Sequence, residues 1–290
     1  MKQIKLLFLL ASASVTGAFA QSNVLTDMSQ SRYAKMANTG IDAVHWTNGF
    51  WGERFNVFSG TSLQSMWNTW NTPEVSHGFR NFEIAAGVCK GEHWGPPFHD
   101  GDMYKWMEGV ASVYAVNKDP ELDKLMDNFI ACVVKAQRAD GYIHTPVVIE
   151  ELNKGIDSHT QADSQQQTVI GTKVGSEDEK GAFANRLNFE TYNLGHLMMA
   201  GIVHHRATGK TTLFDAAVKA TDFLCHFYET ASAELARNAI CPSHYMGVVE
   251  MYRATGNPRY LELSKNLIDI RGMVESGTDD NQDRIPFRDQ

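Results

Sequence analysis

The chain has 290 residues, of which 43% are hydrophobic, and a formal charge of −8. That length allows one large domain or two small ones around a sizeable core. The acidic balance argues against nucleic acid or an anionic membrane as partner, because both reward basic patches.

The first twenty residues carry Lys2 and Lys5, an apolar run from Leu6 to about Val15, and Ala18-Phe19-Ala20 ahead of Gln21. This pattern is that of a secretory signal peptide, residues 1–20, cut near Ala20. Its apolar part is too short to cross a bilayer, and no later run reaches the ~18 apolar residues of a transmembrane helix. The expectation is an exported protein, periplasmic or secreted, without a transmembrane segment. The four cysteines, Cys89, Cys132, Cys225 and Cys241, form no C-x-x-C pair, so neither a zinc ribbon nor a thioredoxin motif is present. Export permits disulfides, but a chain this long does not need them.

Helices are expected at about Ser62 to Trp70 and Phe79 to Lys90. Met103 to Val116 is apolar on most sides, which predicts a helix buried all round. Asp119-Pro120-Glu121 then reads as an N-cap followed by proline at the first helical position. Behind it, Leu122, Leu125, Met126, Phe129, Ile130, Val133 and Val134 fall at the i, i+3, i+4, i+7 spacing of an amphipathic helix. A D-G turn at Asp140-Gly141 leads through Tyr142 and His144 into a polar excursion at 146–185. An aperiodic stretch of that length is usually functional or disordered, and a lid or hairpin over a cleft would suit it. Tyr192 to Val203 and Tyr245 to Tyr252 are again apolar on most sides. Amphipathic helices follow each of them, at Thr212 to Tyr228 and after Asn257-Pro258.

Buried helix, short turn and surface helix thus recur three times. "HRATGKTTL" (His205 to Leu213) and "YRATGNPRY" (Tyr252 to Tyr260) superpose at an offset of 47 residues, and "YAVNKDPEL" (Tyr114 to Leu122) is a weaker copy. A helical hairpin repeated at this spacing points to an array in which neighbours bury each other's faces. With buried helices inside and amphipathic ones outside, the expected fold is all-α, an α/α toroid. A straight solenoid is the alternative.

In a ring, the loops leading into the inner helices open on one face. Here they are Phe98 to Asp102, Asn188 to Thr191 and Cys241 to His244. Asp102 reads either as a helix cap or as a mouth residue, and Asp100, not needed for that cap, as ligand-facing. Glu190 is either a first-turn acid that suits the helix dipole or a site residue. His196 reads as a hydrogen-bonded core histidine, and His204 and His205 as dipole-complementing residues near a helix end. His244 is site or structure with equal support, and Tyr142 and His144 reach toward the mouth. The tryptophans all fall within the first 106 residues. One near a cleft would suit the apolar face of a sugar, though most are expected in the core. No phosphate-binding glycine loop, H-E-x-x-H or G-x-S-x-G is present.

"FHDGDMYKWMEG", "AQRADGYIHT", "FETYNLGHLMMAGIVHHRATG" and "YRATGNPRYLELSKNLIDIRG" resemble, in that order, the catalytic toroid of glycoside hydrolase family 127, the β-L-arabinofuranosidase-like enzymes, from about Thr47 onward. The resemblance implies an (α/α) six-hairpin toroid, incomplete within this chain, with residues 21–290 as its N-terminal portion. It implies a hydrolase that releases terminal sugars from plant polysaccharide or glycan side chains, with an oligosaccharide or polysaccharide as partner. In that family a zinc-bound cysteine thiolate is the nucleophile and a glutamate the acid/base. Those groups are expected beyond Gln290, so neither catalytic residues nor zinc ligands are assigned in this chain, and this polypeptide alone is expected to be inactive.

The residues expected to contact substrate are Asp100, Asp102, Glu190, Tyr192, His244, Tyr142 and His144. Two departures bear on the sugar. Where the arabinofuranosidase pattern has histidine before Glu-x-Tyr, this chain has Phe189, and where it has His-Pro-Glu, this chain has Cys241-Pro242-Ser243. Both family histidines contact the sugar. The departures therefore argue against arabinofuranose and leave room for other pectic side-chain sugars, such as aceric acid. A polysaccharide lyase or epimerase on a similar toroid, and a sugar-binding or inactive toroid fragment, are the alternative readings.

Overall fold

The computed structural model describes residues 23–272 apart from 30, 157–182, 184–187, 232–235 and 237–242. The expected signal peptide, most of the polar excursion, and Cys241 with Pro242 lie outside the described residues. Among the described residues the structure is helical, and the β pairing present is an isolated bridge between Val24 and Gly40.

The helices are α1 (Gly49–Val57), α2 (Leu63–Trp70), α3 (Gly78–Ala85), α4 (His99–Asn117), α5 (Pro120–Ala136), α6 (Thr145–Asn153), α7 (Glu190–Thr208), α8 (Thr212–Thr230), α9 (His244–Thr255) and α10 (Pro258–Gly272). A π-helical turn, Phe58–Ser62, joins α1 to α2. No helix of the described residues is long and apolar enough to cross a membrane.

Two layers follow from the two kinds of helix. Along α7 14 of 19 residues are buried, and α7 packs against α4, α8 and α9. The inner layer is therefore α4, α7 and α9, with α5, α8 and α10 outside it. The outer helices begin as their sequences require. Asp119 Oδ1 accepts from the Glu121 backbone N–H at 2.9 Å, and Asn257 Oδ1 from that of Arg259 at 3.1 Å, each across a proline.

The repeat is visible in the backbone. Gly209 and Gly256, equivalent in the two close copies, end α7 and α9 in the left-handed conformation, with φ of 79° and 70°. Each donates its N–H to the carbonyl four residues back, His205 and Tyr252 respectively. In the weaker copy Lys118 takes the same place at φ 53° and donates to Tyr114. A lysine there bears the Cβ strain that glycine avoids. It is tied down by its own Nζ, which donates to the Ala207 carbonyl at 3.0 Å.

Three expectations need correction. The excursion does not begin at Pro146, because Thr145–Asn153 is a helix with proline in its first turn and Val148 and Ile149 buried. Such a helix is too short to show a sustained period. Next, α1 was not expected at all: of its residues Gly52 is buried, while Phe50 and Trp51 are 62% and 65% exposed. Finally, most of the tryptophans do not go to the core. Trp106 is buried with Phe82, Tyr104 and Phe129, but Trp46 and Trp94 are about half exposed.

Candidate functional site

The starts of α4, α6, α7 and α9, with the turn that leads into α6, carry every residue expected at the mouth. Asp100 lies in the first turn of α4 and is 1% exposed. Its Oδ2 accepts from the Thr145 backbone N–H at 2.7 Å, and its Oδ1 from the Thr145 hydroxyl at 2.6 Å. This acid therefore caps a helix, but the helix is α6 and not its own. Burial pushes the Asp100 carboxyl up, yet the neighbouring His144 and the Thr145 donors outweigh it and hold it below the ordinary carboxylate range.

His144 is fully buried, and its Nδ1 stands 3.5 Å from Asp100 Oδ2 and 3.3 Å from Asn193 Nδ2. Asn193 is held in one orientation. Its Oδ1 accepts from the Gly101 N–H at 2.8 Å, and its Nδ2 also donates to the Pro97 carbonyl at 2.9 Å. With Nδ1 bare, His144 accepts from Asn193 Nδ2; with a proton on Nδ1, it donates toward Asp100. In either form the buried Nε2 has no hydrogen-bond partner among the described residues.

Glu190 opens α7 and is 4% exposed. The Tyr142 hydroxyl donates to its Oε1 at 2.6 Å, and the Phe183 N–H reaches both oxygens, at 2.9 and 2.8 Å. Burial raises the Glu190 carboxyl above its ordinary value, against the opposing pull of His144 and these donors. Tyr142 is itself fully buried, and its hydroxyl is driven well up by burial and by the Glu190 charge. Phe183 closes this side with its ring stacked 4.0 Å from that of Phe227.

The accessible tier is different. Asp102 is half-buried and bridges to Lys105 Nζ at 2.8 Å. Lys105 also donates to the Tyr192 hydroxyl and lies 5.1 Å from the centre of its ring. Desolvation lowers the Lys105 ammonium, but Asp102 and Tyr192 outweigh it, so it stays protonated well above neutral pH. Asp102, Lys105, Trp70 and Trp106 line a cleft of about 400 Å³ with Phe58 and Leu63.

The expected site residues therefore separate into three groups. Asp100, Tyr142, His144 and Glu190 form a buried framework whose polar atoms face protein. Asp102 and Tyr192 share Lys105 on the open side. His244 is 1% exposed at the start of α9, where its Nε2 lies 3.4 Å from the Tyr228 hydroxyl. Burial lowers its pKa to about 3. Its backbone presses on α7 so closely that a Cβ on Gly195 would come within 2.5 Å of the His244 nitrogen.

Asp100 was expected to face ligand, but Thr145 occupies both its oxygens; Asp102 was read either as a helix cap or as a mouth residue, and no side chain caps α4. His196 is not hydrogen-bonded in the core: its Nδ1 is 3.8 Å from Glu108 and its ring stands edge-on to Tyr192. His204 does not complement the helix dipole, because burial lowers its pKa to about 4 and leaves it neutral. Asn193, Thr145 and Lys105 were missed. Asn193 and Lys105 gave a signal, each as a polar residue inside an otherwise apolar segment.

Zinc, implied by the resemblance, finds no fitting donor set here. Among the described residues no group of three or more His, Cys, Asp or Glu could hold a metal ion. Burial also raises the thiols of Cys89, Cys132 and Cys225, the last to about 11, which opposes the thiolate that zinc takes.

The family model described as the β-L-arabinofuranosidase GH127 catalytic domain matches residues 43–290. A non-reducing end β-L-arabinofuranosidase of Bifidobacterium longum subsp. longum is 31% identical over 197 residues, covering 68% of this chain and 27% of that protein. A solved structure described as a glycoside hydrolase is 74% identical with a TM-score of 0.64, covering 93% of this chain and 33% of its own. The crystal structure of Ara127N-Se, a GH127 β-L-arabinofuranosidase from Geobacillus stearothermophilus T6, is 27% identical with a TM-score of 0.66, covering 85% of this chain and 38% of its own. The chain thus spans less than two fifths of the length of each of these relatives.

Proposed function

Because the chain belongs to glycoside hydrolase family 127, we propose that it supplies the sugar-binding part of an exported hydrolase that removes terminal sugars from pectic side chains. The observation that carries this reading is the two-tier mouth. Asp102, Lys105 and Tyr192 offer an acceptor, a cation and an aromatic ring beside an open cleft. Beneath them, Asp100, His144, Glu190 and Tyr142 fix the starts of α4, α6 and α7 against one another. Sugar hydroxyls take such convergent polar groups, and a rigid support keeps the cost of ordering low.

Asp102 accepts from a hydroxyl while Lys105 donates to a second oxygen, and the Tyr192 ring covers the sugar's C–H face. Bond cleavage is assigned to none of the described residues, since the zinc and thiolate chemistry of the family finds no fitting donors among them. Export is supported by the leader pattern of residues 1–20, while the departures at Phe189 and Cys241-Pro242-Ser243 argue against arabinofuranose and leave room for another pectic sugar.

The test is calorimetric binding of oligosaccharides released from pectin by mild acid. Asp102→Asn should weaken binding about tenfold, the loss of one charge-assisted hydrogen bond of ~1.5 kcal/mol. Absence of binding to the wild-type chain would overturn the carbohydrate reading. Chelator-sensitive hydrolysis of the same oligosaccharides by this chain alone would overturn the assignment to binding without cleavage.

A further inference from the structure

A strap with a hinge at each end leads from α3 to α4. Gly87 and Gly95 sit at φ 68° and 101°, a region that glycine enters without strain. Between them, Lys90 to Trp94 form no regular structure and are tied down by side chains of neighbouring helices. Asn81 of α3 donates to the Trp94 carbonyl at 3.0 Å and accepts from the Trp94 N–H at 3.3 Å. Asn153 of α6 donates to the Gly91 carbonyl at 3.1 Å. At the second hinge the Gly95 backbone packs on the His99 ring so closely that a Cβ there would come within 2.6 Å of it. The Pro97 carbonyl beyond it accepts from Asn193.

His93 lies within the strap and joins it to three further imidazoles. Facing His93 are His77 ahead of α3, His99 and Asp100 at the start of α4, and His144 ahead of α6. The His77 ring stands edge-on to Trp94 at 5.0 Å, the His99 ring edge-on to Trp70 at 5.5 Å, and His144 Nδ1 lies 3.5 Å from Asp100. Each of the four histidines leaves one ring nitrogen buried with no hydrogen-bond partner among the described residues: Nδ1 of His77 and His99, Nε2 of His93 and His144. Buried polar atoms are ordinarily paired, so four orphans in one cluster require a reason.

The seat disfavours a charged ring. Burial lowers the His93 pKa from 6.5 to about 4, against the pull of Asp100 and with the help of the other three imidazoles. Burial also lowers that of His99, against Asp102 and Asp100. Of the other groups facing the cluster, Glu190 acts on His144, and the Tyr104 hydroxyl is driven well up by burial and by Asp100. Once the strap lifts, His93 meets water and takes a proton at its ordinary value. The released form therefore binds more protons than the seated form between pH 6.5 and 4, and the seat weakens as the pH falls through that interval. We propose that Gly87 to Gly95 is an acid-released strap: neutral His93 latches it into the four-imidazole cluster, and protonated His93 frees it and loosens the start of α4 with its two aspartates. This device is independent of the carbohydrate reading of the mouth.

The experiment is native-state hydrogen exchange of the Trp94 amide, which donates to Asn81, at pH 7 and pH 4.5, corrected for the intrinsic rate at each pH. In the wild-type chain its protection should fall about fiftyfold, the effect of one proton taken up at 6.5 instead of about 4. The mid-helix amides of α7 should stay more strongly protected at both pH values. His93→Gln removes the titrating ring and should hold the fall at Trp94 to less than about tenfold. If His93→Gln leaves the strap unseated at pH 7, His93→Phe, which fills the seat with an apolar ring, takes its place with the same expectation. A wild-type fall of less than about tenfold, or an equal fall in the variant, would overturn the strap. Loss of protection at Trp94 and in α7 in equal measure would overturn it too, because the chain would then be unfolding as a whole.

Discussion

Asp100 and Asp102 lie two residues apart and meet opposite surroundings because a helix of 3.6 residues per turn rotates them more than half a turn from one another. Asp100 points inward to the start of α6, and Asp102 outward to Lys105. Their neutral isosteres should therefore differ in effect. Asp100→Asn sets an amide N–H against the Thr145 donors in a buried place and should cost about 2 kcal/mol of stability in urea titration. Asp102→Asn breaks a partly exposed ion pair and should cost less than about 1 kcal/mol. A larger loss for Asp102→Asn than for Asp100→Asn would invert the two tiers. His244 supplies a pH test. Its pKa falls from the model-peptide value of 6.5 to about 3 on burial, so between those limits the unfolded chain takes up a proton that the folded chain refuses. The stability contributed by the neutral ring is complete above pH 6.5 and declines as the pH is lowered toward 3. Thermal melts at pH 7 and pH 4 should show a smaller loss for His244→Asn than for the wild type. Equal losses would mean that the ring is not buried as described.

At the scale of elements, the three inner helices end by one device, and its strength can be measured. Gly256→Ala places a Cβ at φ 70° and should destabilise by about 1 to 2 kcal/mol in urea titration. The same substitution at Gly209 should cost a similar amount, and a neutral outcome at both would remove the left-handed caps from the account. This device could be read from the sequence, because glycine after the last helical turn is a local signal and the repeat aligns its copies. The amphipathic helices α5, α8 and α10 were readable for the same reason: spacing and caps are written within a dozen neighbouring residues. The framework of the mouth was not. Asp100 and Thr145 are 45 residues apart and Gly101 and Asn193 are 92 apart, so their pairing depends on how the layers stack, which no local pattern records. Helix α1 escaped for another reason: its aromatic side chains are exposed and leave no period to detect.

For the whole molecule the two-layer packing makes α7 the spine. It touches α4, α8 and α9, and its side chains are buried around nearly the full helix. Opening α7 locally would break its contacts with both neighbours in the inner layer and with the outer layer together, so its amides should exchange only when the fold is lost as a unit. Helix α1 buries little more than Gly52, and separating it uncovers almost nothing that is not already in water. Native-state hydrogen exchange should therefore place the mid-helix amides of α7 at the global unfolding free energy and those of α1 far below it. The Gly195→Ala substitution sharpens the test. Its Cβ would collide with the backbone at the start of α9, forcing the two inner helices apart and lowering protection in α7 and α9 together, while α1 stays as it was. Protection in α1 equal to that in α7, or a loss confined to α9 in Gly195→Ala, would mean that the inner layer does not open as one body.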